Sequence, residues 1–190
     1  MSLKQLKQLR PWALAIGLAT AAAAGWAVEM PISATDTLAK VQQPNSQVLF
    51  VDVRDPVEIM LIGGTDVAHV NVPFLLINRQ QWDDKRGIFA LEPNPDFVAQ
   101  LERELARRGL GKDAEIITLC RSGNDRGEPS AAFLRANGFA NARYVIHGFQ
   151  GDARKDGPQK GMRTLNGWQN SGLPWSSKLN PDKVFRVDRR

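Results

Sequence analysis

The chain carries a single cysteine in 190 residues, Cys120, and that scarcity excludes an internal disulfide as a source of stability. Three fates remain for the thiol: an intermolecular bond, a reactive nucleophile or an inert buried side chain. Internal repeats are missing, and there is no low-complexity stretch beyond the chain start, so nothing calls for an extended or disordered architecture. An excess of positive charge is also nearly absent once its location is considered. The net charge is +5, but Lys4, Lys7 and Arg10 stand in the first ten residues with no acidic partner, and the remainder carries +2. A nucleic-acid partner therefore loses its main support.

What is present is enough apolar material, 43% of residues, for one ordinary core and one domain. The chain start has a separate character. MSLKQLKQLR is a charged head, PWALAIGLATAAAAGWAV is apolar and rich in alanine, and small residues recur from Ala22 to Ala27. This layout predicts a secretory leader over residues 1–27, cut after Ala24 or Ala27. The alternative is an uncleaved anchor over residues 11–28, since about 18 apolar residues just span a bilayer. Either way the folded part is expected outside the cytoplasm, in the periplasm of a bacterial source, with membrane contact only if the leader stays uncut.

The next segments alternate in type. SATDTLAKVQQPNSQ predicts a short helix capped by Thr35 or Asp36 and ended by Pro44 and Asn45. VLFVDV, Val48 to Val53, is an apolar, β-branched run broken only by Asp52, the pattern of a buried parallel strand. DPVEIML predicts a short helix with proline in its first turn, and VAHVNVPF a strand ended by Pro73. Residues 78 to 93 are polar and read as a long irregular connection.

NPDFVAQLERELARRGL predicts the clearest helix, with Asn94 as cap, Pro95 in the first turn, Phe97, Leu101 and Leu105 on one face, and Gly109 as the stop. AEIITLC is a buried strand ending at the cysteine. PSAAFLRANGF gives a helix stopped at Gly138, ARYVIHGF a further strand, and TLNGWQNSGLPW a last short helix. Strands alternating with helices imply a mostly parallel central sheet flanked by helices, a three-layer α/β domain. The polar, basic tail 176–190, with Val184, Phe185 and Val187 to anchor it, is expected to be a surface extension.

In such sheets ligands bind beyond the carboxyl ends of the strands, and Cys120 falls there. The loop after it is built of small and turn-forming residues, Ser122, Gly123, Asn124 and Gly127, which let successive amides face inward as an anion-holding nest in front of a helix. A thiolate is itself an anion, so the same nest, with Arg121 and Arg126 nearby, favours the nucleophilic form of the sulfur. The physics predicts attack by Cys120 on an anionic substrate without saying which anion.

VLFVDVRDPVEI, VNVP, ITLCRSGN, the helix closing in NGF, and YVIHGFQGD followed by NGWQNSGLPW occur in order and together resemble the rhodanese-like domain over residues 35–175. The resemblance implies an α/β fold and a catalytic Cys120 that carries sulfur as a persulfide. It implies a small anionic donor such as thiosulfate and an acceptor that is cyanide, a thiol or a partner protein. Neither a metal nor an organic cofactor is implied. The site expected from it comprises Cys120 with Arg121, Ser122, Gly123, Asn124, Asp125, Arg126 and Gly127 as the anion-binding loop.

The chain departs from the family pattern in two places. A Gly-His pair often precedes the second strand; here Gly64 is followed by Thr65, and His69 stands five positions after that glycine, which suits a structural histidine. His147 occupies a position where glycine is common and is a candidate to border the pocket. The loop also has five residues, RSGND, between Cys120 and Arg126, where sulfur-transferring members commonly have four. CRSGNDRGEP thus resembles the C-x5-R pattern of rhodanese-related phosphatases and arsenate reductases. In that alternative Arg126 would grip two oxygens of a tetrahedral anion, with Asp125 or Glu128 as candidate acid. A third reading is a non-catalytic module that carries sulfur or binds an anion. Arg54 and Asp55 are expected to hold the turn after the first strand together, and Trp168 and Trp175 to be core packing.

Overall fold

The computed structural model describes residues 29–189, so the leader expected over residues 1–27 lies outside the described residues. Five strands form one sheet in the order β1 (Pro31–Ile32), β7 (Arg143–Val145), β6 (Glu115–Leu119), β2 (Val48–Asp52) and β3 (Val70–Asn71), and every pairing is parallel. The middle strands β2 and β6 run in register from Val48 opposite Glu115 to Asp52 opposite Leu119. Both are buried on two faces, which explains why their sequences are continuous apolar runs rather than alternating ones.

Alternate residues serve opposite faces. Leu49, Val51, Val53 and Ile116 pack with Phe97, Leu101 and Leu105 of α3 (Phe97–Arg107) and Leu134 of α4 (Gly127–Ala136). Val48, Phe50, Ile117 and Leu119 pack on the other side with α1 (Ala34–Val41) and with Trp168 of α5 (Gly167–Asn170). Helices therefore cover both faces of a parallel sheet, and the fold is α/β with three layers. No helix among the described residues is long and apolar enough to cross a membrane.

Several local expectations are corrected. Helix α1 is capped by Ser33, whose Oγ accepts from the Asp36 amide at 3.0 Å, not by Thr35 or Asp36. Asn94 does not cap α3. Its Oδ1 accepts from the Asp96 amide at 3.1 Å and its Nδ2 donates to the Pro73 carbonyl at 2.8 Å, so it is spent on tying the incoming loop down, and α3 starts at Phe97 behind Pro95. The strand expected through VAHVNVPF is reduced to the two residues of β3.

Residues 78–93, expected to be irregular, belong to an antiparallel hairpin of β4 (Leu75–Asp83) and β5 (Ile88–Pro93) that stands apart from the main sheet. Its strands are half-exposed, and their apolar residues stand in short runs at 75–77 and 88–91 rather than in alternation, so no period-2 pattern marks them in the sequence. The turn is closed by Asp83, which accepts from the amides of Lys85 and Arg86, and by Gly87 at φ +63°.

The tail is likewise more than an extension. The Asn71 amide on the edge strand donates to the Lys183 carbonyl at 2.8 Å, the Phe185 amide donates to Asn71 Oδ1 at 3.1 Å, and Ser176 bridges Gly64. Of the two tryptophans expected in the core, Trp168 is fully buried, whereas Trp175 is exposed and stacks edge-on against Phe149.

Candidate functional site

Cys120 follows directly on β6, the central strand of the sheet. The backbone after it leaves the sheet in company with the segment after β7: the Phe149 amide donates to the Cys120 carbonyl at 2.7 Å, and the Gln150 amide to the Arg121 carbonyl at 2.8 Å. Gly148 makes that approach possible. It sits at φ +58°, and a Cβ there would lie 2.3 Å from the Cys120 carbonyl oxygen.

The loop then turns back over the sulfur. Gly123, at φ +89°, donates its amide to Cys120 Sγ at 3.2 Å. The Glu128 amide donates to the Gly123 carbonyl at 2.8 Å and closes the loop onto the first turn of α4. Thr118 and Ser130 both donate their hydroxyls to the Gly127 carbonyl, at 3.0 and 2.9 Å, and hold the helix start against the strand. The thiol thus stands between a strand end and a helix amino terminus with one amide aimed at it, an arrangement suited to negative charge on sulfur. Cys120 has no solvent-exposed surface.

Arg126 is committed elsewhere than expected. Its two terminal nitrogens donate to the two carboxylate oxygens of Glu58, at 2.5 and 3.1 Å. Glu58 is presented by α2 (Pro56–Ile62), which Asp55 caps by accepting from the Val57 amide; the other oxygen of Asp55 accepts from the Ile77 amide. Burial alone would weaken the charge on Arg126, but the hydrogen bond and charge of Glu58, supported by Cys120 and Asp52, outweigh it and hold the guanidinium above its ordinary pKa.

Arg54 is fully buried. It grips Asp52 through Nε and Nη2 and lies over the Phe149 ring at 4.4 Å, which is the architectural role expected of it. His69 accepts from the Phe50 amide through Nδ1 at 3.0 Å and also serves the scaffold.

Of the expected site residues, Ser122, Gly123, Arg126 and Gly127 are buried around Cys120, while Arg121, Asn124 and Asp125 are exposed. Arg121 turns away from the sulfur and donates through Nε to Gln150 at 2.8 Å; partial burial and then the neighbouring charge of Arg163 draw its pKa below the usual value. Ser122, Asn124 and Asp125 form one wall of a groove of about 710 Å³ whose other wall includes Asp152, Arg154 and Arg163. Among the described residues no group of three or more His, Cys, Asp or Glu side chains is placed to hold a metal ion.

Two partners were not singled out from the sequence. Glu58 had a signal, a lone acid in the first turn of the helix after β2, but nothing local ties it to Arg126, 68 positions away. Asp152, which pairs with His147 at 2.9 Å, opens a polar segment of mixed charge, DARKDGPQK, in which no local pattern sets it apart.

Among solved structures, a rhodanese-related protein from Thermoplasma volcanium is similar at 19% identity, covering 79% of this chain and 100% of that one with a TM-score of 0.44. A protein from Bacillus halodurans is similar at 21% identity, covering 63% of this chain and 67% of that one with a TM-score of 0.38. No curated protein matches the chain. The family described as the rhodanese-like domain matches residues 33–155, well over half the sequence, and the chain belongs to that family.

Proposed function

We propose that the protein is a sulfurtransferase that carries sulfane sulfur on Cys120. The observation that carries this reading is the Gly123 amide aimed at Cys120 Sγ at 3.2 Å, at the junction of the central strand and α4. A thiolate, and after loading a persulfide anion, gains from a fixed donor and a helix amino terminus at that point. In the first half-reaction the Cys120 thiolate attacks the outer sulfur of thiosulfate, the S–S bond breaks, and sulfite leaves with the bonding pair. In the second, an acceptor nucleophile takes the outer sulfur and the Cys120 thiolate is returned. Because Cys120 has no exposed surface, the loop must yield at its exposed residues Asn124 and Asp125 for a donor to enter.

The longer loop supports a phosphatase or arsenate-reductase chemistry only if Arg126 is free to hold an oxyanion. Both of its terminal nitrogens are occupied by Glu58, which weighs toward sulfur. The charged, alanine-rich chain start supports an exported location for the same activity.

Intact mass measurement is the test. Thiosulfate should add about 32 Da, one sulfur atom, at Cys120, cyanide should remove it, and Cys120→Ser should gain nothing. No adduct, together with phosphate-ester hydrolysis that disappears in Cys120→Ser, would replace this reading with the phosphatase one.

A further inference from the structure

The segment after β7 holds a histidine that the scaffold has no evident need for. His147 sits at φ +65°, one of two non-glycine residues with positive φ among those described, a left-handed region that histidine enters more readily than branched side chains do. Its ring does not fill the core; the side chain is 41% exposed. Its Nδ1 meets Asp152 Oδ2 at 2.9 Å, and that same oxygen accepts from Asn166 Nδ2 at 2.9 Å. Asn166 in turn accepts the Asp152 amide through Oδ1 at 2.8 Å. The carboxylate is therefore fixed from two sides and holds the imidazole with its proton on Nδ1, which leaves Nε2 as a proton acceptor.

This triad adjoins the cysteine loop. A Cβ on Gly123, the residue whose amide binds Cys120 Sγ, would lie 2.9 Å from the His147 backbone nitrogen. Asp152 lies across the groove from Ser122 and Asp125, with Arg154, Lys155, Asp156 and Arg163 as the other charged groups lining it. An orienting carboxylate, an imidazole with a free nitrogen and a nucleophilic sulfur in adjoining segments is the layout of assisted proton transfer.

We infer that His147, positioned by Asp152 and Asn166, is the general base that deprotonates a thiol acceptor. The inference rests on the sulfurtransferase reading above and assigns the class of acceptor. The acceptor S–H gives its proton to His147 Nε2, and the resulting thiolate attacks the outer sulfur of the Cys120 persulfide. The S–S bond breaks, Cys120 leaves as thiolate with the bonding pair, and the acceptor departs as a persulfide. No oxidant or reductant is consumed, and the proton on His147 returns to solvent. An acceptor that is already an anion, such as sulfite in mild alkali, has no proton to give and does not need the base.

The test uses the purified chain loaded with thiosulfate, with His147→Asn, His147→Gly and Asp152→Asn as variants. Asn and Gly both tolerate the positive φ. Loading to the end point, read as mass gained at Cys120, verifies that each variant folds and separates the two ideas: if wild type fails to load, it is the sulfurtransferase reading that falls. With loaded protein, decay of the persulfide is followed with dithiothreitol and with sulfite across pH. Both His147 variants should slow transfer to dithiothreitol about tenfold or more at neutral pH. The deficit should close as pH rises past the acceptor's own pKa, and transfer to sulfite in alkali should match wild type. Asp152→Asn should show the same pattern in weaker form. Unchanged rates with dithiothreitol, or equal losses with both acceptors at every pH, would overturn the assignment.

Discussion

Glu58 and Arg126, 68 positions apart, join two elements through a two-pronged ion pair at 2.5 and 3.1 Å, with little of either side chain exposed. The pair locks the end of the cysteine loop to α2, and through Asp55 to the start of the hairpin. Its strength comes from geometry and exclusion of water, since an exposed pair would contribute little.

Removing one partner is therefore expected to cost more than removing both. Glu58→Gln leaves the Arg126 charge buried without its counter-ion and should destabilise the protein by about 2–4 kcal/mol in urea unfolding. Glu58→Gln combined with Arg126→Met should cost clearly less than the sum of the single changes. Additive losses would show that the two side chains act independently.

Gly148 is expected to be irreplaceable for a different reason. Gly148→Ala places a methyl against the Cys120 carbonyl at 2.3 Å and against the Gly123 nitrogen at 2.7 Å, both backbone atoms, at φ +58°. The loop must shift, at a cost of about 2 kcal/mol or more. Loss of thiosulfate loading at Cys120 should accompany the loss of stability. A variant that is stable and loads normally would mean that the loop tolerates this displacement.

These two cases mark what was legible in the sequence. Largely apolar runs at Val48–Asp52 and Glu115–Leu119 signalled parallel strands because burial on both faces leaves few polar residues, here Asp52, Glu115 and Thr118, to interrupt them. The position of Cys120 followed from the end of one of them. Gly148 was visible as a residue but not as a contact, because what it must accommodate is the backbone 28 positions earlier. The β4–β5 hairpin was hidden because its strands are half-exposed and their apolar residues fall in short runs at 75–77 and 88–91, without the apolar alternation by which such a strand is read. The partner of Arg126 could come only from the fold: a guanidinium fits a carboxylate and an oxyanion equally well, and nothing local in the sequence points to Glu58, which its terminal nitrogens meet.

His69 gives a stability effect with a defined direction. Burial, with Arg108 and Lys183 nearby, pushes its pKa from 6.5 down to about 4, and protonation of Nδ1 would break the bond from the Phe50 amide. Below pH 6.5 the unfolded chain takes up a proton that the folded one refuses, so its contribution is intact above that pH and is lost as pH falls toward 4. The half-exposed ring limits the effect to about 1–2 kcal/mol. Urea unfolding of wild type and His69→Gln across this range should show the steeper decline in wild type. Parallel curves would exclude His69 as the titrating group.

The tail supplies the last expectation. β3 is an edge strand of only two residues, Val70–Asn71, and on its open side Asn71 is held by the Lys183 carbonyl and the Phe185 amide, while Lys183 Nζ reaches the Ala68 carbonyl at 3.0 Å. Asn71 Nδ2 also donates to the carbonyls of Asp52 and Arg54 at 2.9 and 2.8 Å, so the contacts of the tail continue into the turn after β2. Ending the chain after Trp175 removes the hydrogen bonds made by Lys183 and Phe185 and uncovers the sheet edge, a template for pairing with another chain. The truncated protein should lose about 2–4 kcal/mol, at roughly 1 kcal/mol per lost bond, and should elute with a larger share of associated species than the full chain. A truncated chain that matches the full one in both stability and elution would assign residues 176–189 no part in covering the sheet.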